Sequence, residues 1–152
     1  MDVQYVNPFI QATIETYRTM LSMEASPGTP SLKHDPTPRY DVSGIIGLSG
    51  DGQGSISLNY TRTVAEKTVS ALVGEEISLD DPALSDGVGE LANIIAGSAK
   101  QHLNGLNLHI SLPNVIIGTS HTITVQKDAP TLLVPFTTGV GEFTMEVALK
   151  TT

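Results

Sequence analysis

Apolar positions near the start of the chain fall at Phe9, Ile10, Ile14, Tyr17 and Leu21, the three-and-four spacing of an amphipathic helix. Asn7 reads as its cap and Pro8 as a first-turn residue. The period then disappears. Residues 25–40, ASPGTPSLKHDPTPRY, hold four prolines and predict a long extended connector. DVSGIIGLSG and GSISLNY predict two strands joined at Gly50-Asp51-Gly52 as a hairpin. In the second strand Ile56, Leu58 and Tyr60 alternate with Ser55, Ser57 and Asn59, giving one buried and one polar face. TRTVAEKTVSALVG returns to helical spacing, with Val64, Val69, Leu72 and Val73 as its apolar side. Thr63 and Glu66 have capping-box spacing, and Gly74 suits the position just past a helix end. The acidic loop EEISLDDP leads to a third helix, roughly residues 82–104, which Gly105 stops. The runs LHISL, VIIG, HTITVQ, TLLVPF and GEFTMEVALK are strand-like. They are separated by Pro113, Gly118-Thr119-Ser120, Asp128-Ala129-Pro130 and Thr137-Thr138-Gly139. Pro135 cannot donate in a ladder, so it predicts a sheet edge or a strand end.

The order is therefore an N-terminal helix, a hairpin, two helices, then about three strands. It predicts an α/β protein of the α+β kind, a layered sandwich with a largely antiparallel sheet, the chain 1–152 forming one domain.

The third helix breaks a local rule. Gly87, Gly89 and Gly97 each cost roughly 1 kcal/mol against alanine in a helix interior, and Asn93 costs about 0.6 kcal/mol. Projected at about 100° per residue, Leu84, Val88, Leu91, Ile95 and His102 share one face, flanked by Ile94 and Leu103. The opposite face carries Asp86, Glu90, Asn93, Gly97 and Asn104. Asp86, Glu90 and Asn93 thus form a polar stripe that looks away from the core. One reading is a solvated helix face. Such a face is normally built from better helix formers than asparagine and glycine. The other reading is a flat surface, bordered by Gly89 and Gly97, for close approach by another protein.

Composition narrows the choice of partner. The chain has 152 residues, 39% apolar and 16% charged, which is a globular composition. Sixteen acids against eight Lys and Arg leave a net charge of −8, which argues against nucleic acid and anionic membranes. There is no cysteine, hence no disulfide, thiolate nucleophile or Cys-based metal site. The N-terminus has neither the basic nor the apolar region of a signal peptide, and no apolar run is long enough to span a bilayer. The cytoplasm is the expected compartment.

The remaining chemistry-bearing residues carry little. His34, His102, His109 and His121 have no ligand spacing with one another or with a carboxylate, and His102 reads as a packed, hydrogen-bonded residue. Ser85 and Ser98 lack a histidine partner and a nucleophile elbow. The Gly50–Gly54 segment resembles a phosphate loop only superficially, because a strand follows it and it has no lysine. Glu75, Glu76, Asp80 and Asp81 lack Ca-loop spacing and read as a solvated loop.

Asp86-x-x-x-Glu90-x-x-Asn93 within GELANIIAG resembles the signature of the CheC/CheX/FliY family of chemotaxis phosphatases. The opening VNPFIQATIETYRTML, the hairpin GDGQGSISL and ALVGEEI ahead of the motif helix follow the same order, so the resemblance spans nearly the whole chain. It implies a CheC-like fold. It also implies hydrolysis of the aspartyl-phosphate on a CheY-type response-regulator receiver. Asn93 would orient the attacking water and Glu90 would pair with the receiver's lysine. Asp86 matches the motif's first position, as support or rim contact, and Gly89 and Gly97 would border the partner surface. The chain itself would bind no cofactor; the Mg2+ would come with the receiver. The place of the family's second motif, on the first helix, reads Gln11-x-x-x-Glu15-x-x-Arg18 and lacks both the Asp/Ser and the Asn. The chain is therefore similar to CheX-type members, which are homodimers, rather than to CheC. The alternative is a non-catalytic module of the same fold that docks on a receiver or a flagellar switch protein.

Overall fold

The computed structural model describes residues 3–33, 40–103, 105–121 and 130–151. Three helices pack on one face of an antiparallel sheet. In chain order the elements are α1 (Val3–Leu21), β1 (Ser26–Pro27), β2 (Ser31–Leu32), β3 (Tyr40–Gly50), β4 (Gly52–Tyr60), α2 (Arg62–Val73), α3 (Pro82–Gln101), β5 (Leu108–Ile110), β6 (Asn114–His121), β7 (Thr131–Thr138) and β8 (Gly141–Thr151). Among the described residues eight strands run in the order β1-β7-β8-β4-β3-β5, with β2 also on β7 and β6 also on β3. The expected α+β sandwich and the 41–60 hairpin both form. Leu48 pairs with Gly54 across a turn in which Gly50 takes a positive φ of 99°.

The ends of the strand set depart from expectation. In the described part of the proline-rich connector, residues 25–33, two dipeptides pair with β7: Pro27 opposite Phe136 and Ser31 opposite Leu133. Pro135 is accordingly neither at a sheet edge nor at a strand end. Its carbonyl accepts from Gly28 N at 2.7 Å, so the N–H it lacks faces the gap between β1 and β2, and the ladder to β8 loses nothing. Of the run HTITVQ, His121 is described, as the last residue of β6; residues 122–126, the Asp128-Ala129 turn, His34 and Asn104 lie outside the described residues.

Helix boundaries shifted for identifiable reasons. α1 begins at Val3, so Asn7 is not its cap and Pro8 sits inside it. Burial of Val6 favours extending the helix upstream, and Pro8 removes one backbone bond near that end. α2 starts one residue before Thr63, so the Thr63–Glu66 capping box does not form. Its N-terminus is instead capped from across the fold, Arg62 N donating to Asp41 Oδ2 at 2.9 Å, while Glu66 pairs with Arg62. Gly74 closes α2 in the left-handed conformation, φ 79°, as expected. Val73, assigned to the apolar side, is exposed.

The helix-facing side of the sheet holds the core. Ile46, Ile56, Leu58, Met145, Val147 and Val134 are buried there beneath Phe9 and Tyr17 of α1 and Leu84, Leu91 and Ile95 of α3. Phe143 stacks on Tyr17 and Phe136, with ring centroids 4.8 and 5.0 Å apart. The Tyr17 and Tyr60 hydroxyls meet at 2.6 Å, and burial holds both phenols above their usual range. The other side of the sheet is polar but also covered. Ser57 and Asn59 are buried, and Ser43 Oγ donates to Asn59 Oδ1 at 2.8 Å. Lys33 and Glu146 form an ion pair at 2.7 Å with side chains only 1% and 3% exposed. The register slips between Tyr40 and Val42, and the Tyr40 hydroxyl donates to Glu146 Oε2 at 2.8 Å while accepting from Thr144 Oγ1 at 2.8 Å.

Candidate functional site

α3 is built from both ends. Asp81 accepts from Ala83 N at 2.9 Å through Oδ1, and Pro82 occupies the first turn, where its missing N–H costs nothing. The helix ends at Gln101, before the expected residue 104, and His102 becomes its C-cap. Having left the helical projection, His102 is exposed rather than packed, and Leu103 takes the buried position instead.

One face of α3 is closed off. Leu84, Val88, Leu91 and Ile95 are all at most 1% exposed, as the periodicity predicts. Opposite them Asp86, Glu90 and Asn93 are exposed, and among the described residues none of the three has an ion-pair or side-chain hydrogen-bond partner. Such groups are spared the desolvation that burial imposes, and they keep their lone pairs and donors for something outside the chain.

Contact accounts for the helical cost of Gly87 and bears on Gly89, but not on Gly97. A Cβ on Gly87 would lie 2.7 Å from Val69 Cγ1, so only glycine lets α2 lie this close to α3. Gly89 is buried, and a Cβ there would meet Pro113 Cγ and Val115 Cγ2 at 3.4 Å. Its small size thus admits the β5–β6 turn of the same chain, and Gly89 remains as the floor between the turn and the polar stripe. Gly97 is half-buried, and a Cβ there would meet Ile110 Cδ1 only at 4.0 Å, so contact does not require a glycine at that position. Sheet packing supports the same surface from beneath: a Cβ on Gly44 of β3 would sit 2.9 Å from Val88 Cγ1.

The result is a shallow groove of about 410 Å³ between α3 and the β5–β6 turn, lined by Ser85, Asp86, Gly89, Glu90, Asn93, Leu112, Pro113 and Val115. Periodicity identified one wall. The turn is the other, and Leu112 carries no sequence pattern that marks it. A larger hollow of about 620 Å³ lies beside the end of α2, lined by Glu66, Lys67, Glu75 and Glu76 among others, away from the stripe. Gln11, Glu15 and Arg18 are exposed on α1, and Arg18 pairs with Glu24. His109 is exposed on β5, and His121 Nε2 lies 2.8 Å from Ser43 Oγ on the polar side of the sheet.

Among the described residues, no group of three or more His, Cys, Asp or Glu side chains is placed to hold a metal ion. Two carboxylates and an amide on one open helix face leave the coordination shell of a cation such as Mg2+ mostly unfilled. Nor, among those residues, is any helix long and apolar enough to cross a membrane.

Residues 42–137 match the family described as Chemotaxis phosphatase CheX. Over 123 residues the chain is 37% identical to the CheY-P phosphatase CheX of Thermotoga maritima, covering 78% of each protein. A CheC-like superfamily protein from Shewanella superposes with a TM-score of 0.92 at 33% identity, over 99% of both chains. A structure from Borrelia burgdorferi, a CheX–CheY–BeF3–Mg2+ complex, matches with a TM-score of 0.80 at 29% identity, over 98% of this chain and 99% of that one.

Proposed function

This chain belongs to the CheX family of chemotaxis phosphatases, and from that premise we propose that it accelerates hydrolysis of the aspartyl-phosphate on a CheY-type response-regulator receiver domain. The observation that carries the reading is the exposed, unpartnered Asp86–Glu90–Asn93 stripe on a helix whose other face is anchored in the core. A shallow groove does not enclose a small substrate. It suits a macromolecular one, whose own surface closes the site.

Asn93 holds the attacking water. Its carboxamide accepts one hydrogen bond and donates another, so it fixes the water's direction in line with phosphorus without acting as a base. Glu90 pairs with the receiver's lysine through a charge-assisted hydrogen bond and sets the register of α3 across the phosphorylation site. Asp86 supports that contact from the rim. The Mg2+ arrives with the receiver and neutralises charge on the phosphoryl oxygens. The chain works in the cytoplasm, where the receiver is, with 1–152 as one domain. It brings positioning to a reaction whose other parts the receiver already holds.

The test is the half-life of the phosphorylated receiver with and without the protein, in magnesium. Acceleration is expected. Binding without acceleration would instead favour a docking module. Glu90→Ala is expected to lower the rate and also to weaken the complex. A lost charge-assisted contact of about 1.5–3 kcal/mol corresponds to a roughly 10- to 150-fold loss of affinity. An unchanged dissociation constant for that variant would remove the lysine pairing.

The assembly is a homodimer that leaves both α3 stripes accessible. Light scattering at micromolar concentration is expected to give twice the chain mass. A clean monomer would refute the dimer and leave the phosphatase reading in place.

A further inference from the structure

The second wall of the groove has a residue with no work to do in the fold. Leu112 is 89% exposed, whereas the other exposed large apolar side chains among the described residues lie between 41% and 50%. A lone exposed leucine is ordinary on a protein. This one is held in place. Ser111 N donates to Gly47 O at 3.0 Å, and Gly47 N donates to Ser111 Oγ at 2.8 Å, tying the turn to β3 in both directions. The Ser111 hydroxyl then donates to the Leu112 carbonyl at 2.9 Å. Pro113 restricts Leu112 to extended backbone and seats against Gly89 of α3. A turn fixed this way has little backbone freedom left to lose when a partner covers its leucine.

Its neighbours across the groove are Asp86, Glu90 and Asn93. Two carboxylates with no ion-pair partner among the described residues, beside an apolar side chain on a hydrogen-bonded turn, are complementary to a surface that presents a cation next to an apolar patch. A second copy of this chain is a poor occupant. In a two-fold contact across the groove, Asp86 and Glu90 would face their own counterparts, with a net charge of −8 on each protomer.

We propose that Leu112 is the apolar anchor through which this groove recognises the receiver surface beside the phosphorylation site, setting affinity and partner choice but not the rate of the chemical step. The inference rests on the receiver-phosphatase reading above.

It is tested by titrating wild type, Leu112→Ser and Leu112→Met with the cell's CheY-type receiver activated by beryllofluoride and Mg2+. KM and kcat for the phosphorylated receiver, thermal melting and sedimentation are measured in parallel. Leu112→Ser is expected to weaken binding roughly tenfold, equivalent to about 1.4 kcal/mol, and to raise KM by a similar factor. Its kcat, melting temperature and oligomeric state are expected to match wild type, and Leu112→Met to retain most of the affinity. If wild type binds and dephosphorylates the receiver but Leu112→Ser binds it within about twofold of wild type, the anchor is overturned and the phosphatase reading stands. A change of oligomeric state in Leu112→Ser would assign the leucine to self-association and also overturn it. A wild type that neither binds nor dephosphorylates the receiver overturns the phosphatase reading, and the anchor with it.

Discussion

Asn93→Ala is expected to abolish most of the acceleration of receiver dephosphorylation while leaving the complex largely intact. The loss should be on the order of a hundredfold, the penalty for an attacking group no longer held in line. Stability should move the other way. Asn93 is exposed on the stripe and has no side-chain partner among the described residues, so alanine removes no internal contact. It also gains about 0.6 kcal/mol of helix propensity. A variant that is slightly more stable and almost inactive separates a positioning asparagine from a structural one. Combined with Glu90→Ala, the rate losses should fall well short of multiplying, because both residues serve one transition state. The measurement is single-turnover decay of phosphorylated receiver, with receiver affinity and urea denaturation determined on the same preparations. Undiminished dephosphorylation by Asn93→Ala would sink the mechanism.

The converse effect is expected on the far side of the sheet. Glu146→Ala removes the carboxylate 2.7 Å from the buried Lys33 ammonium and deprives the Tyr40 hydroxyl of its acceptor. Breaking one side of a buried ion pair costs about 3–5 kcal/mol. For a chain of this size that lowers the melting temperature by roughly 6–20 °C. Replacing both partners together, Lys33→Met with Glu146→Leu, should cost far less, because the pair's charges are removed together. Below its melting temperature Glu146→Ala should dephosphorylate the receiver at the wild-type rate, since α3 packs on the opposite face. Thermal melts of the two variants and wild type decide it: a loss below about 1 kcal/mol for Glu146→Ala would show that solvent reaches the pair.

The candidate site was half legible because periodicity reports which face of a continuous segment is buried. Leu84, Val88, Leu91 and Ile95 repeat with the helix, so the direction of Asp86, Glu90 and Asn93 followed without knowledge of what the helix packs on. The Gly50 turn and the Gly74 helix end were legible for a related reason: each depends on a backbone conformation that one residue type adopts cheaply. His102 shows where such projection fails, since it presumes that the helix continues.

The tertiary structure decided whatever depends on residues far apart in the chain. Lys33 and Glu146 are 113 positions apart, and neither has local surroundings that announce an ion pair. β1 and β2 are two residues each, too short to show a period, and exist because β7 offers them backbone partners. Asp41 caps α2 from another element, which displaced the capping box that spacing suggested. The polar side of β4 was predicted polar, but its burial follows from Lys33, Tyr40 and His121 being brought over it. Gly89 and Leu112 became two parts of one groove only when the β5–β6 turn came to rest on α3. Sequence spacing alone determined the chemistry displayed on one helix; the contacts between distant segments determined the surface on which that chemistry is presented, because burial, charge pairing and close approach depend on neighbours in space.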